Sequence, residues 1–302
     1  MKKGYHYIIL TALLYSTHEI AGKTLADKTS LDPMQIVFLI YLVAAAVLLP
    51  TALKELKTRE IKLNLSDLGY FMLTGTLCIP ISLTLIQMAL YYTQASIVAL
   101  ILSVNIIFTV PFAYLLLKEK ITKQLVIAIT CGIVGLLFIL NPFSQSGAYN
   151  MNSLFGAFLA ILGTLAFSLY TVITARRIRY YGGSIINCFT FICGIAIMLI
   201  LLLVLDKPVF SNITPFGLII LVYIGLFIKA VGYLFYVKAI EETSAIIAST
   251  VFLIKPGLAP LLALLILGEA LKLTTVVGII FIMGGIYISF ISKKGGNLSQ
   301  KG

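Results

Sequence analysis

Ten runs of about twenty apolar residues, joined by short polar links, take up nearly all of this 302-residue chain. They fall at about 5–26, 33–53, 67–90, 94–117, 122–141, 153–174, 184–205, 214–238, 244–267 and 272–291. A helix of that length spans the hydrocarbon core of a bilayer. In lipid every backbone N–H and C=O must be paired within the chain, so only helices or a closed barrel can cross. The runs lack the two-residue alternation of barrel strands. The expected fold is therefore an all-α membrane protein with ten transmembrane helices. Composition agrees: 60% of the residues are hydrophobic and 11% charged, where a soluble domain carries about 25% charged residues. A soluble enzyme, a disordered chain and a nucleic-acid-binding module are excluded.

The net charge of +11 reflects orientation. Cytoplasmic links of membrane proteins are enriched in Lys and Arg. With the N-terminus inside, the inner links carry sixteen such residues and the outer links four, Lys23, Lys28, Lys207 and Lys272. Both termini are expected in the cytoplasm. Met1-Lys2-Lys3 and the run after it read as a retained first helix, because no small-x-small cleavage site follows. Cys78, Cys131, Cys188 and Cys193 lie in apolar runs without CxxC spacing or a histidine cluster. They read as small buried hydrophobes, with no disulfide framework, metal site or cofactor implied. No HExxH, GxSxG or phosphate-loop pattern is present, so the chain does not read as an enzyme or an ATP-driven pump.

The chain repeats itself at a shift of 150 residues. Ala89–Ala95 falls on Ala239–Ala245, Leu117-Lys118-Glu119-Lys120 on Leu267-Gly268-Glu269-Ala270, and Gly135 on Gly285. Each half holds five helices. Five is odd, so the second half enters the membrane upside down, an arrangement typical of secondary transporters. The organisation expected is a first repeat over 1–142, an external linker over 143–152, a second repeat over 153–292 and a cytoplasmic tail over 293–302.

These features resemble the EamA branch of the drug/metabolite transporter superfamily over about residues 5–291. The resemblance rests on the two Ala-x-x-x-Thr/Ser-x-Ala stretches leading into helices four and nine. It rests also on the Leu-x-Glu ends at Glu119 and Glu269, and on Ser168-Leu169-Tyr170-Thr171-Val172 before Arg176-Arg177. It implies an inverted 5+5 bundle that moves small metabolites, amino acids or toxic compounds, often outward. The first helix departs from the pattern. Glu19-Ile20-Ala21-Gly22-Lys23-Thr24-Leu25 looks more like the small multidrug resistance proteins, whose membrane glutamate exchanges protons for cationic substrate.

Ionisable residues within a span are costly and usually face a cavity or a partner. Glu19 lies deep in the first run, with Tyr15, Ser16 and Lys23 on its face. It is the candidate proton-coupling group. The plainer alternative is an i, i+4 ion pair with Lys23. His18 can tune it. Lys255 falls midway along the ninth run, just before Pro256-Gly257 and Pro260. Freed carbonyls beside a mid-membrane ammonium suit a substrate site in a broken helix. Its counterpart Asn105 precedes Pro111. Lys229 shares a stripe with Tyr233 and is either a substrate ligand, a partner of Glu19, or a residue reaching for the inner surface. Gln87, Tyr91, Tyr92 and Tyr170 can add polar and aromatic lining. Glu119 and Glu269 read as structural groups fixing the tight links between helices four–five and nine–ten.

The function expected is alternating-access transport, in the outward direction, of a small zwitterion or anion such as an amino acid. An exporter of cationic compounds is the second reading in that class. An intramembrane lipid-modifying enzyme or a scaffold is the reading outside it. The partners are a small-molecule substrate and the lipid bilayer. Nucleic acid is excluded, no protein partner is required, and a dimer stays open.

Overall fold

A computed structural model describes residues 2–118, 121–140, 151–242 and 251–298. Among them the chain is helical throughout, without a strand. We number the long helices α1 (Lys2–Ser16 resuming as His18–Lys28), α2 (Pro33–Thr58), α3 (Leu65–Tyr92), α4 (Ala95–Leu117) and α5 (Lys123–Leu140). The second half gives α6 (Met151–Ala175), α7 (Gly183–Val204), α8 (Pro215–Val222 running on to Gly232–Glu242), α9 (Val251–Leu267) and α10 (Leu273–Leu298). Seven helices, α2 to α8, are long and apolar enough to cross a membrane, and shorter apolar stretches lie at Ile254–Leu267 and Leu273–Ile288. The protein is thus an all-helical, multi-pass membrane protein.

Local chemistry sets the helix starts. Asp32 accepts the Met34 N–H at 2.9 Å while Gln35 reaches back to the Asp32 N–H, and Pro33 opens α2. Asn64 and Asp67 form the same reciprocal box at the head of α3, and Thr214 with Pro215 starts α8. Interruptions matter as much. The Thr17 N–H reaches back only three residues, to Leu14 O at 3.2 Å, which breaks α1 immediately before His18 and Glu19. In α4 the N–H groups of Val104 and Asn105 likewise reach back three residues. Two wide-turn π segments, Leu77–Leu83 in α3 and Tyr223–Val231 in α8, lie at mid-helix. Such segments recur at functional sites.

The expected break in the ninth helix is not there. α9 runs as helix through Pro256, Gly257 and Pro260, and α4 is helical through Pro111. A proline removes one donor but does not force the flanking turns apart, so the helix continues.

The contacts pair helices of one half with helices of the other. α5 lies along α10 and α2 along α7; α3 packs on α6 as α1 packs on α8; α4 packs on α6 as α1 packs on α9. Small residues permit the closest crossings. A Cβ on Gly135 would meet Gly278 O at 2.8 Å, and one on Gly285 would meet Ala128 O at 2.9 Å. These two contacts exchange under the 150-residue shift. So do the partners in the Tyr41–Phe191 edge-to-face contact, whose ring centroids are 4.7 Å apart.

Candidate functional site

The break at Thr17 frames a charged cluster among α1, α8 and α9. Glu19 is fully buried. Its Oε1 accepts a hydrogen bond from Lys255 Nζ at 2.8 Å, across a sequence separation of 236 residues, and lies 3.3 Å from His18 Nδ1. Among the described residues its Oε2 has no partner, and neither does the buried hydroxyl of Ser16 one turn before it. A buried polar atom without a partner costs free energy unless something else supplies the bond. Lys255 is one-sixth exposed, so most of its side chain is shielded.

The alternative of a Glu19–Lys23 pair is overturned. Lys23 bonds Asp27 at 2.9 Å further along α1, where the Asp27 side chain is half exposed. Glu19 is left to the interior and to Lys255. Lys229 stands on the π segment of α8 with its ammonium 5.5 Å from the centre of the Tyr41 ring, a cation–π distance. It interacts electrostatically with Glu19, His18 and Lys255. Among the described residues no carboxylate lies within ion-pairing distance of it. The cluster thus holds two ammonium groups and one carboxylate, all on residues singled out in the sequence.

The remaining candidates fall in two groups. Tyr170 and Tyr233 line the next layer. The Tyr170 hydroxyl bonds Asn187 Oδ1 at 3.1 Å, and the Tyr233 hydroxyl is seated on the bare backbone of Gly183. Gln87, Tyr91 and Asn105 are tied into the scaffold. Gln87 Nε2 donates to Gly22 O at 3.1 Å, the Tyr91 hydroxyl donates to Leu31 O, and Asn105 O accepts from Ser168 Oγ at 3.1 Å. Tyr92 is exposed and packs on Phe155.

Glu269 is structural in a different way from that expected. Its carboxylate accepts from Ala95 N at 2.6 Å, Ser96 N at 3.1 Å and Ser96 Oγ at 2.6 Å. It therefore caps α4 from the far side of the repeat boundary, instead of bracing its own link. Glu119 lies outside the described residues.

A buried glutamate–lysine pair thus stands at a helix break in a membrane bundle. The comparisons with known proteins decide the family. The profile of the EamA-like transporter family matches the chain twice, over residues 2–141 and 154–291. The chain belongs to the EamA-like transporter family. It is 47% identical over its whole length, and over 97% of the relative, to an uncharacterized transporter of Clostridium kluyveri. It is 24% identical to the uncharacterized transporter YyaM of Bacillus subtilis, covering 80% of this chain and 79% of that one. It is 23% identical to protein PecM of Dickeya dadantii, covering 74% of this chain and 75% of that one. A solved structure described only as the crystal structure of a protein superposes over 96% of both chains with a TM-score of 0.64 at 15% identity, a likeness of fold alone.

This EamA-family chain is therefore a transporter of the cell membrane and not an enzyme. Two residues at its centre carried no signal in the sequence. Tyr41 and Asn187 lie in runs where an isolated tyrosine or asparagine is unremarkable. The 150-residue register could have found Tyr41, since it pairs that tyrosine with Phe191.

Proposed function

We propose that the protein is a secondary exporter of small zwitterions or anions, amino acids among them, working by alternating access between two inverted five-helix repeats. The repeats are 1–142 and 153–292, joined by an external linker over 143–152 and followed by a tail over 293–302, with both termini in the cytoplasm. The doubled family match, the exchange-symmetric helix contacts and the excess of inner cations support this arrangement.

One observation carries the substrate reading. Among the described residues, the buried cluster offers Lys229 without a carboxylate partner and Glu19 Oε2 without any. A substrate carboxylate supplies what Lys229 lacks. A substrate ammonium supplies what Oε2 lacks. A proton is the other donor that can occupy Oε2, and the two cannot sit there together. That competition would exchange one proton for one substrate. A purely cationic substrate ranks second, because Lys229 and Lys255 would repel it.

In this orientation three contacts tie the outer ends of the helices together. There Glu269 holds Ala95 and Ser96, Lys207 Nζ bonds Asp32 at 2.8 Å, and Tyr91 holds Leu31 O. The test is transport by purified protein in liposomes with an imposed pH gradient, offered a pool of amino acids, small anions and organic cations. Gradient-driven accumulation of zwitterions, lost in Glu19→Gln and in Lys229→Ala, is the expected result. Accumulation of cations alone would favour the second reading, and movement indifferent to the gradient and to Glu19→Gln would remove proton exchange.

A further inference from the structure

A cleft of about 700 Å³ opens between the inner-end segments of α2, α7 and α8, lined by Thr51, Lys54, Arg59, Gly183, Val231 and Leu234 among others. Its rim is cationic. Lys54, Arg59 and Lys238 stand on it against Glu55, whose carboxylate is already paired with Arg59 Nε at 2.9 Å. The walls mix the apolar side chains of Val231, Leu234 and Phe235 with the hydroxyl residues Thr51, Thr58 and Ser184. The chemistry is that of a mouth that attracts an anionic group.

Gly183, in the lining, carries one close contact. The Tyr233 hydroxyl rests where a side chain on Gly183 would have to be, so that a Cβ there would collide with the phenol oxygen and lie 3.1 Å from Tyr233 Cζ. Tyr233 stands one turn from Lys229 on α8, and Gly183 stands one turn from Asn187 on α7. Asn187 holds Tyr170, and Phe191, a further turn along, holds Tyr41 beneath Lys229. A row of aromatic and amide groups along one face of α7 thus joins the cleft to the charged cluster, and Tyr233 on Gly183 is its first member.

We infer that this cleft is the cytoplasmic access vestibule for substrates bearing a carboxylate, and that Tyr233 seated on Gly183 is the positioning residue separating it from the Glu19–Lys255–Lys229 cluster. The inference rests on the transport reading above for what lies beyond Tyr233, but the charge and accessibility of the cleft can be measured without it.

Thr51 lines the cleft and is partly exposed. In Thr51→Cys, reconstituted in liposomes, labelling by an impermeant anionic thiosulfonate and by its trimethylammonium counterpart is compared, each normalised to its rate on a free thiol. The native cysteines in the parent chain are the control. The anionic reagent should be favoured by at least ~3-fold, since a cationic cleft concentrates anions. The preference should fall to about one when Lys54→Gln and Lys238→Gln are added. A thiol that does not label, or labels without charge preference, overturns the vestibule. If the preference holds while zwitterion transport fails, only the transport reading falls.

The second arm is Gly183→Ala with and without Tyr233→Phe. Gly183→Ala alone should lower kcat for zwitterion counterflow by ~10-fold with little change in KM, because the displaced ring obstructs passage without touching the bound ligand. Removing the hydroxyl in the double variant removes the collision and should restore most of the rate. Wild-type counterflow in Gly183→Ala, or no recovery in a double variant that folds and reaches the membrane, overturns the role of Tyr233.

Discussion

The Glu19–Lys255 pair makes a sharp energetic prediction. The two charges meet at 2.8 Å, with the glutamate side chain unexposed and the lysine 16% exposed. Removing one member of such a pair strands the other in a medium that solvates it poorly, at ~3–5 kcal/mol. Replacing both by neutral groups of similar volume is often close to neutral. Glu19→Gln should be the worse single change, because it leaves Lys255 beside Lys229 with no carboxylate between them. Lys255→Met should be milder, since Lys229 remains within electrostatic range of Glu19. The combination Glu19→Gln with Lys255→Met should lie closer to wild type than Glu19→Gln alone, with a coupling of ~2–3 kcal/mol.

The assay is thermal unfolding of all four proteins, purified in one detergent and again in nanodiscs. At ~2 °C per kcal/mol for a chain of this size, Glu19→Gln should melt ~6–10 °C below wild type and the double variant within ~4 °C of it. Additive losses, or single variants within ~1 °C of wild type, would refute the reasoning. They would mean that water reaches the cluster well enough to solvate each charge separately.

Three further outcomes are expected. Glu269→Ala leaves the buried N–H groups of Ala95 and Ser96 without their acceptor, so it should cost ~2–3 kcal/mol in the same melts, with Glu269→Asp recovering part of that. Gly285→Leu should block assembly of α5 against α10, because a Cβ there meets Ala128 O at 2.9 Å; Gly284→Leu, with nothing within 4 Å, should be tolerated, and size-exclusion profiles of the two proteins decide it. Lys207, held above its ordinary value by its hydrogen bond to Asp32 and by that carboxylate's charge, contributes stability that is fully present below the unfolded lysine value. That contribution is lost only as pH rises through the higher folded value. The melting difference between wild type and Lys207→Met should therefore be flat from neutral pH to about 10 and shrink above that.

Helix positions were legible because apolar run length is a one-dimensional property, and the described helices follow the expected runs within a few residues. The ionisable residues were legible for a similar reason: Glu19, Lys229 and Lys255 interrupt stretches that tolerate no charge without a partner. Which partner each takes depends on helix rotation and on neighbours distant in sequence. Local spacing offered Lys23 to Glu19, but that lysine lies nearer the exposed end of α1 and takes Asp27. Glu269 shows the same limit. Its place in a tight link suggested local bracing, while the unpaired N–H groups at the head of α4 lie within its reach. The prolines of α9 misled because their effect on a helix depends on what packs around them, whereas the breaks fall at Thr17 and Asn105, where no proline stands.

The 150-residue register bears on mechanism through what it fails to repeat. His18, Glu19, Lys229 and Lys255 fall on Ser168, Leu169, Ile79 and Asn105. Glu19 and Lys255 form an ion pair across the two halves, whereas the symmetry-related helices are joined there by a neutral hydrogen bond from Ser168 Oγ to Asn105 O at 3.1 Å. Both contacts join the same pair of helices within the symmetry, α1 with α9 and α6 with α4. An inverted repeat can change its outward-facing and inward-facing forms by exchanging the conformations of its halves. Here such an exchange would move the backbone but leave every central charge on α1, α8 and α9. The Ser168–Asn105 contact can part at the cost of one neutral hydrogen bond, net ~1 kcal/mol. The Glu19–Lys255 contact cannot part so cheaply without a replacement ion on each side. An empty carrier would then reorient with its ion pair closed, and a loaded one with substrate charges completing the cluster. The intermediate state, pair broken and site empty, is the one the low dielectric forbids. That restriction is what would keep exchange from becoming leak, and it predicts that Glu19→Gln with Lys255→Met folds, reaches the membrane and no longer couples substrate to protons.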